Sequence, residues 1–240
     1  GRPQHGAGRE GLALRLHPAR RQRLRDPPRR EEGRRERHDR LRTRHAQRRD
    51  KVAFAQDVDG PSLTFGQLED RVQRFASALL KAGLRAEDRV MLCMHDTLNW
   101  PVAYLGCIYA GVIPIATNTL LTPKDYQYML EDSRAVGLLV SSALWPQFKD
   151  IVPSSVRTCW VDGDAVAPHP RMDDLVSSSE PLKQPHASVS DEACFWLYSS
   201  GSTGAPKGTV HLHSHLIQTA ELYGRGGLGI QEQDVVFSAA

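Results

Sequence analysis

From Lys51 onward the sequence predicts an α/β fold, a largely parallel sheet with covering helices. Two observations carry this. Short apolar, β-rich runs alternate with segments of helical period along the chain. Helix start and stop signals also fall between those runs, where crossover helices would have to begin and end.

Lys51 to Phe65 reads as a hairpin, with Asp59-Gly60 as its turn. Thr64 then opens a helix, and Gln67 three residues on completes a capping box. Leu68, Val72, Phe75, Leu79 and Leu80 follow at helical spacing, and Gly83 ends the run. Arg89 to Met94 is expected as a strand, Trp100 to Ala110 as a helix stopped by Gly111, and Val112 to Thr117 as the next strand.

Thr122-Pro123 is a sound helix start, because proline lacks only an N–H that the first turn leaves unused. That helix runs to about Ser133, ahead of strands at Gly137 to Ser141 and Val156 to Val161. Asp162 to Asp191, richer in Pro, Ser, Asp and His, reads as a connection with one short helix near Met172. Ala193 to Tyr198 is a further strand, and Asp234 to Ala239 a last one.

The first fifty residues differ in kind. They hold 17 Arg against 7 acidic residues, a local charge of +10 in a chain of net charge +3, so the remainder is acidic at −7. Val, Ile, Met, Phe, Tyr and Trp are absent there, so burial cannot offset chain entropy. The reading is a tail over residues 1–49, expected to be disordered, or else GC-rich DNA translated in a wrong frame. The incomplete folded domain is then 50–240. An Arg-rich nucleic-acid-binding tail on a non-catalytic module is the competing reading, but no aromatic residue stands there to stack bases. A nucleic-acid partner is not expected.

Cys93, Cys107, Cys159 and Cys194 are widely spaced with no C-x-x-C pair, which fits buried reduced thiols and a cytoplasmic setting. Thr97 to Pro123 contains no charged side chain, yet Pro101, Gly106, Gly111, Pro114 and Asn118 interrupt it. A buried helix running into a buried strand explains it better than a membrane span. No membrane partner is expected.

The chemistry sits in Ser199-Ser-Gly-Ser-Thr-Gly-Ala-Pro-Lys-Gly208, between the strand Ala193 to Tyr198 and an expected helix. Gly201 and Gly204 let backbone N–H groups approach phosphate oxygens closely. The hydroxyls of Ser199, Ser200, Ser202 and Thr203 add donors, and Lys207 supplies a point charge. Walker A fails, because this lysine stands between Pro206 and Gly208, and the dinucleotide pattern G-x-G-x-x-G is absent. The cluster His211-Leu-His-Ser-His215 has a spacing suited to one face of a strand, but no carboxylate or cysteine follows nearby, so no metal site is expected. Trp100, Tyr104 and Tyr109 are read as core packing.

The run Tyr-Ser-Ser-Gly-Ser-Thr-Gly-x-Pro-Lys-Gly resembles the signature loop of the adenylate-forming (AMP-binding) superfamily. Leu63-Thr-Phe-Gly-Gln-Leu68 and Asn99 to Pro114 resemble the family's first helix entry and its next helix–strand unit. His95 to Ala103, Thr117 to Leu121, Glu131 to Arg134, Ala220 to Arg225 and Asp234 to Ala240 are most similar to benzoate-CoA ligases and related aryl-CoA ligases. The resemblance covers Asp50 to Ala240 and implies part of the large N-terminal domain of an adenylate-forming enzyme.

It further implies ATP, Mg²⁺ and coenzyme A as cofactors, with the CoA site outside this stretch, and a small carboxylic acid, benzoate or a related aromatic, as substrate. Ser199, Ser200, Gly201, Ser202, Thr203, Gly204 and Lys207 become the ATP-phosphate contacts, and Lys207 the stabiliser of charge on pyrophosphate. A fatty acyl-CoA ligase or a peptide-synthetase adenylation domain would use the same machinery. Ala240 falls where the family's acid-binding region begins, so this stretch by itself is expected to be inactive.

Overall fold

The structure is a computed structural model that describes residues 48–57, 59–199 and 204–237. The arginine-rich run through residue 47 lies outside the described residues, and so do Ser200, Gly201, Ser202 and Thr203.

The chain enters through the expected hairpin. Strand β1 (Val52–Ala55) pairs antiparallel with β2 (Ser62–Thr64), and a bulge falls between Val52 and Phe54. Helix α1 (Phe65–Lys81) follows. Its capping box forms as read: the Gln67 amide donates to Thr64 Oγ1 at 3.2 Å, and the Thr64 amide donates to Gln67 Oε1 at 2.9 Å. Leu68, Val72, Phe75 and Leu79 point inward. Leu80 does not, at 39% exposure. One residue beyond Leu79 is a rotation of about 100° around the helix, which carries it off the apolar stripe.

Next come β3 (Arg89–Cys93), α2 (Asn99–Tyr109), β4 (Ile113–Ala116), α3 (Pro123–Ser133) and β5 (Gly137–Ser141). Thr122 caps α3, and its hydroxyl accepts from the Asp125 amide. A 3-10 turn at Ser142–Gln147 leads towards β6 (Thr158–Asp162), and the short helix α4 (Met172–Ser178) interrupts the long connection that follows. At 11 residues α2 is about 16 Å long, half a bilayer core. No helix among the described residues is long and apolar enough to cross a membrane.

The main sheet runs β6-β5-β3-β4-β7-β8, with β7 at Ala193–Ser199 and β8 at Lys207–Leu212. Every pairing is parallel except the last, β7 with β8. Alternate strand residues feed two cores. Val90, Leu92, Leu139 and Trp160 meet α1, α2 and α4 on one face, while Met91, Cys93, Leu138, Val140 and Val161 meet α3 and the 3-10 turn on the other. The sheet is thus covered on both faces, as its apolar strands require. Trp100, Tyr104 and Tyr109 pack against the first core, as read from sequence.

Two expectations are corrected. A helix was expected directly after the Ser199–Gly208 segment, but Lys207–Leu212 forms a strand and α5 (His213–Thr219) starts only after it, continuing into a π-helical stretch at Ala220–Gly227. The ladder offered by β7 captures a segment carrying Thr209 and Val210, both strand formers. Asp234–Phe237 is not a strand; Val235 is 96% and Phe237 87% exposed, with no partner strand among the described residues, and 238–240 lie outside them. A strand exists through its pairing, and apolar content alone does not make one.

Candidate active site

Ser199 ends β7 and Lys207 begins β8, so the motif spans the connection between the two strands of the β7–β8 hairpin. β7 is apolar enough to be drawn into the sheet: Cys194 and Phe195 are buried, and Trp196 and Leu197 pair in register with Ile115 and Ala116 of β4. Parallel pairing makes the chain leave β4 and β7 at the same end of the sheet, the carboxyl end where open α/β sheets place ligands.

Ser199 pairs directly with Lys207 across the antiparallel ladder. Directly paired residues project from one face with their Cβ atoms about 5 Å apart. The first hydroxyl and the lysine of the motif therefore stand side by side at the mouth of the turn. Both are exposed. Gly204 sits between them in sequence with φ of 144°, a backbone conformation that residues with a Cβ avoid. Among the described residues no carboxylate forms an ion pair with Lys207. Ser199 and Lys207 are thus brought side by side, Gly204 stands three residues before the lysine, and Ser200, Gly201, Ser202 and Thr203 lie outside the described residues.

Two groups beneath this hairpin had no role in the sequence reading. The Tyr198 hydroxyl donates to Asp132 Oδ2 of α3 at 2.6 Å. Burial, and then the neighbouring Asp132 carboxylate, push the Tyr198 phenol well above its ordinary range. Tyr126 of α3 holds the adjacent loop: its hydroxyl donates to the Asn118 carbonyl at 2.9 Å and accepts from the Leu121 amide at 3.2 Å. One helix thus braces both chain exits at the carboxyl end. Sequence spacing could not pair Asp132 with Tyr198, because they lie 66 residues apart.

On the opposite face Tyr104, Phe195 and His211 form a ladder, with Phe195 and His211 stacked 4.6 Å apart and 3° from parallel. His211 lies on β8, whereas His213 and His215 lie on α5, so the strand face imagined for three imidazoles does not form. The His215 ring accepts from the Leu212 amide at 3.2 Å and acts as a helix cap. All four cysteines are free. Burial raises every one of them, Cys159 and Cys194 to about 11, away from a nucleophilic role.

A profile of the AMP-binding enzyme family matches residues 41–240. The chain belongs to that family. Within it, the chain is 48% identical over 186 residues to a benzoate–CoA ligase of Thauera aromatica, covering 76% of this chain and 35% of the relative. It is 39% identical over 181 residues to a 4-hydroxybenzoate–CoA/benzoate–CoA ligase of Rhodopseudomonas palustris, covering 75% and 33%. The crystal structure of a benzoate CoA ligase from Burkholderia xenovorans LB400 superposes with a TM-score of 0.72 at 44% identity, over 81% of this chain and 38% of that one. The chain therefore spans about a third of the length of the AMP-binding enzymes it matches. The largely parallel, doubly covered sheet is the N-terminal-domain architecture of these adenylate-forming enzymes.

Proposed function

We propose that this chain is the phosphate-gripping portion of an ATP-dependent carboxylate–CoA ligase acting on benzoate or a related aromatic acid. One observation carries the reading: the signature turn is mounted at the carboxyl end of the sheet, with Ser199 and Lys207 paired across its mouth. An exposed ammonium beside a hydroxyl, joined by a glycine-rich connection, fits a polyphosphate in charge and in donor chemistry. The aromatic assignment rests on the names of the relatives at 48% and 39% identity, both ligases of benzoate.

In the proposed reaction a carboxylate oxygen attacks the α-phosphorus of ATP and the bond to pyrophosphate breaks. The thiolate of coenzyme A then displaces AMP from the acyl-adenylate. The task assigned to this chain belongs to the first half. Ser199, Ser200, Gly201, Ser202, Thr203 and Gly204 would hold the phosphates in line, and Lys207 would offset the charge gathering on pyrophosphate as it departs. Mg²⁺ would accompany the nucleotide, and no described residue is assigned to it.

The test is Mg-ATP binding by calorimetry on the chain and on Lys207→Ala and Lys207→Arg. A charge-assisted contact contributes about 1.5–3 kcal/mol, so the alanine variant should bind about 10- to 150-fold more weakly and the arginine variant should recover part of the loss. In a chain extended to the length of the relatives, benzoate-dependent ATP–pyrophosphate exchange should fall with Lys207→Ala. Equal binding by all three forms, or exchange driven by fatty acids but not by benzoate, would sink the respective half of the reading.

A further inference from the structure

The incoming limb of the signature segment is tied to α3, and the outgoing limb lies against the tied ring. On the incoming limb, Tyr198 immediately precedes Ser199, and its hydroxyl donates to Asp132 Oδ2 at 2.6 Å. On the outgoing limb, Gly208 immediately follows Lys207 and is the strand partner of Tyr198. A Cβ at Gly208 would stand 3.2 Å from Tyr198 Cζ and 3.3 Å from Trp196 Cε3, so glycine is what lets the phenol ring lie against the second limb. The ring therefore lies over the second limb on the α3 face of the sheet, and the carboxylate of α3 fixes its outer edge.

We propose that Tyr198 and Asp132 form a positioning pair that sets the separation and direction of Ser199 and Lys207 for the phosphates. This rests on the functional reading above and adds to it two residues that touch no substrate. The physical reason for a carboxylate is directional. The half-buried Tyr198 side chain has three staggered wells about its Cα–Cβ bond, and a charged acceptor at 2.6 Å selects one of them. Alternation along β7 does the rest, because Tyr198 facing α3 obliges Ser199 to face the other way, beside Lys207.

The experiment uses the whole chain and four variants: Tyr198→Phe, Asp132→Ala, their double mutant, and Asp132→Asn, which keeps an acceptor oxygen. Backbone hydrogen exchange of the peptide covering 198–208 reads the anchoring without any ligand, and Mg-ATP titration reads its consequence. Tyr198→Phe and Asp132→Ala should each speed exchange there about tenfold and weaken Mg-ATP about five- to tenfold. The double mutant should add nothing to either single change, and Asp132→Asn should restore most of both. Lys207→Ala should lose Mg-ATP with exchange unchanged.

Unchanged exchange in Tyr198→Phe, or additive losses in the double mutant, overturns the pair. Faster exchange with unchanged Mg-ATP affinity overturns its link to the phosphates. If the unaltered chain binds no Mg-ATP and Lys207→Ala changes nothing, the functional reading fails, and the phosphate role of the pair fails with it. Normal binding that only Lys207→Ala weakens removes the pair and keeps the reading.

Discussion

Replacing Gly106 by alanine sets two known effects against each other at one position of α2. In an isolated helix the change would stabilise by about 1 kcal/mol, since glycine is the poorer helix former. Here a Cβ at 106 would lie 2.7 Å from Phe75 Cδ1 and 3.3 Å from Phe75 Cβ, with the Val72 carbonyl 3.4 Å away. Ordinary carbon–carbon contact is about 3.5–4.0 Å, so roughly 1 Å must be found. Phe75 has nowhere to move: it is fully buried, and its ring meets the edge of Trp160 at a centroid distance of 6.5 Å. Overpacking of this kind costs about 1–3 kcal/mol or somewhat more when a ring is pinned, so the net expectation is a loss of about 1–2 kcal/mol. In urea unfolding that is a midpoint lowered by about 0.5–1 M at an ordinary slope. Phe75→Leu vacates the contested space, so the double variant should be more stable than the sum of the single losses by at least about 1 kcal/mol. A Gly106→Ala chain with an unchanged or raised midpoint, or strict additivity with Phe75→Leu, would refute the argument that α1 and α2 meet through this glycine.

Two further outcomes are expected. Asp162, buried at the end of β6, accepts from Thr97 Oγ1 at 3.0 Å and Asn99 Nδ2 at 2.6 Å, so Asp162→Ala leaves donors stranded and should cost about 1–3 kcal/mol by the same urea assay, with Asp162→Asn costing less. Cys159 and Cys194 have thiols raised by burial to about 11, so at pH 8 only about one in a thousand is thiolate; iodoacetamide should label them about a hundredfold more slowly than a free thiol and about tenfold faster per pH unit up to that value, and labelling at the rate of glutathione would contradict their burial.

What was legible in the sequence was local. Thr64 with Gln67 and Thr122 with Pro123 announce α1 and α3 because a cap is made within four residues. The parallel sheet was legible because apolar runs alternate with helical ones. What was missed was settled at a distance. β8 is a strand because β7 offers it a ladder; Thr209 and Val210 favour a strand but do not name its partner. Asp132 was visible only as part of a run resembling aryl-CoA ligases, and its role appears only when α3 lies beside β7. Leu80 was misplaced by a single step around a helix. At the candidate site the turn was recognisable from its residue types, while the pairing of Ser199 with Lys207 required the hairpin.

The order of strands in the sheet also has a meaning in time. β4 lies beside β3, but its other neighbour, β7, is encoded about eighty residues later, since Ile115 pairs with Trp196. At ribosomal speed that is a delay of about 4–16 s during which β4 offers a bare edge to any passing strand. Pro114 lies in the middle of that strand and has no N–H to donate. The nascent chain thus waits for its β7–β8 hairpin with its most vulnerable edge already missing one of the hydrogen-bond donors a stray partner would need.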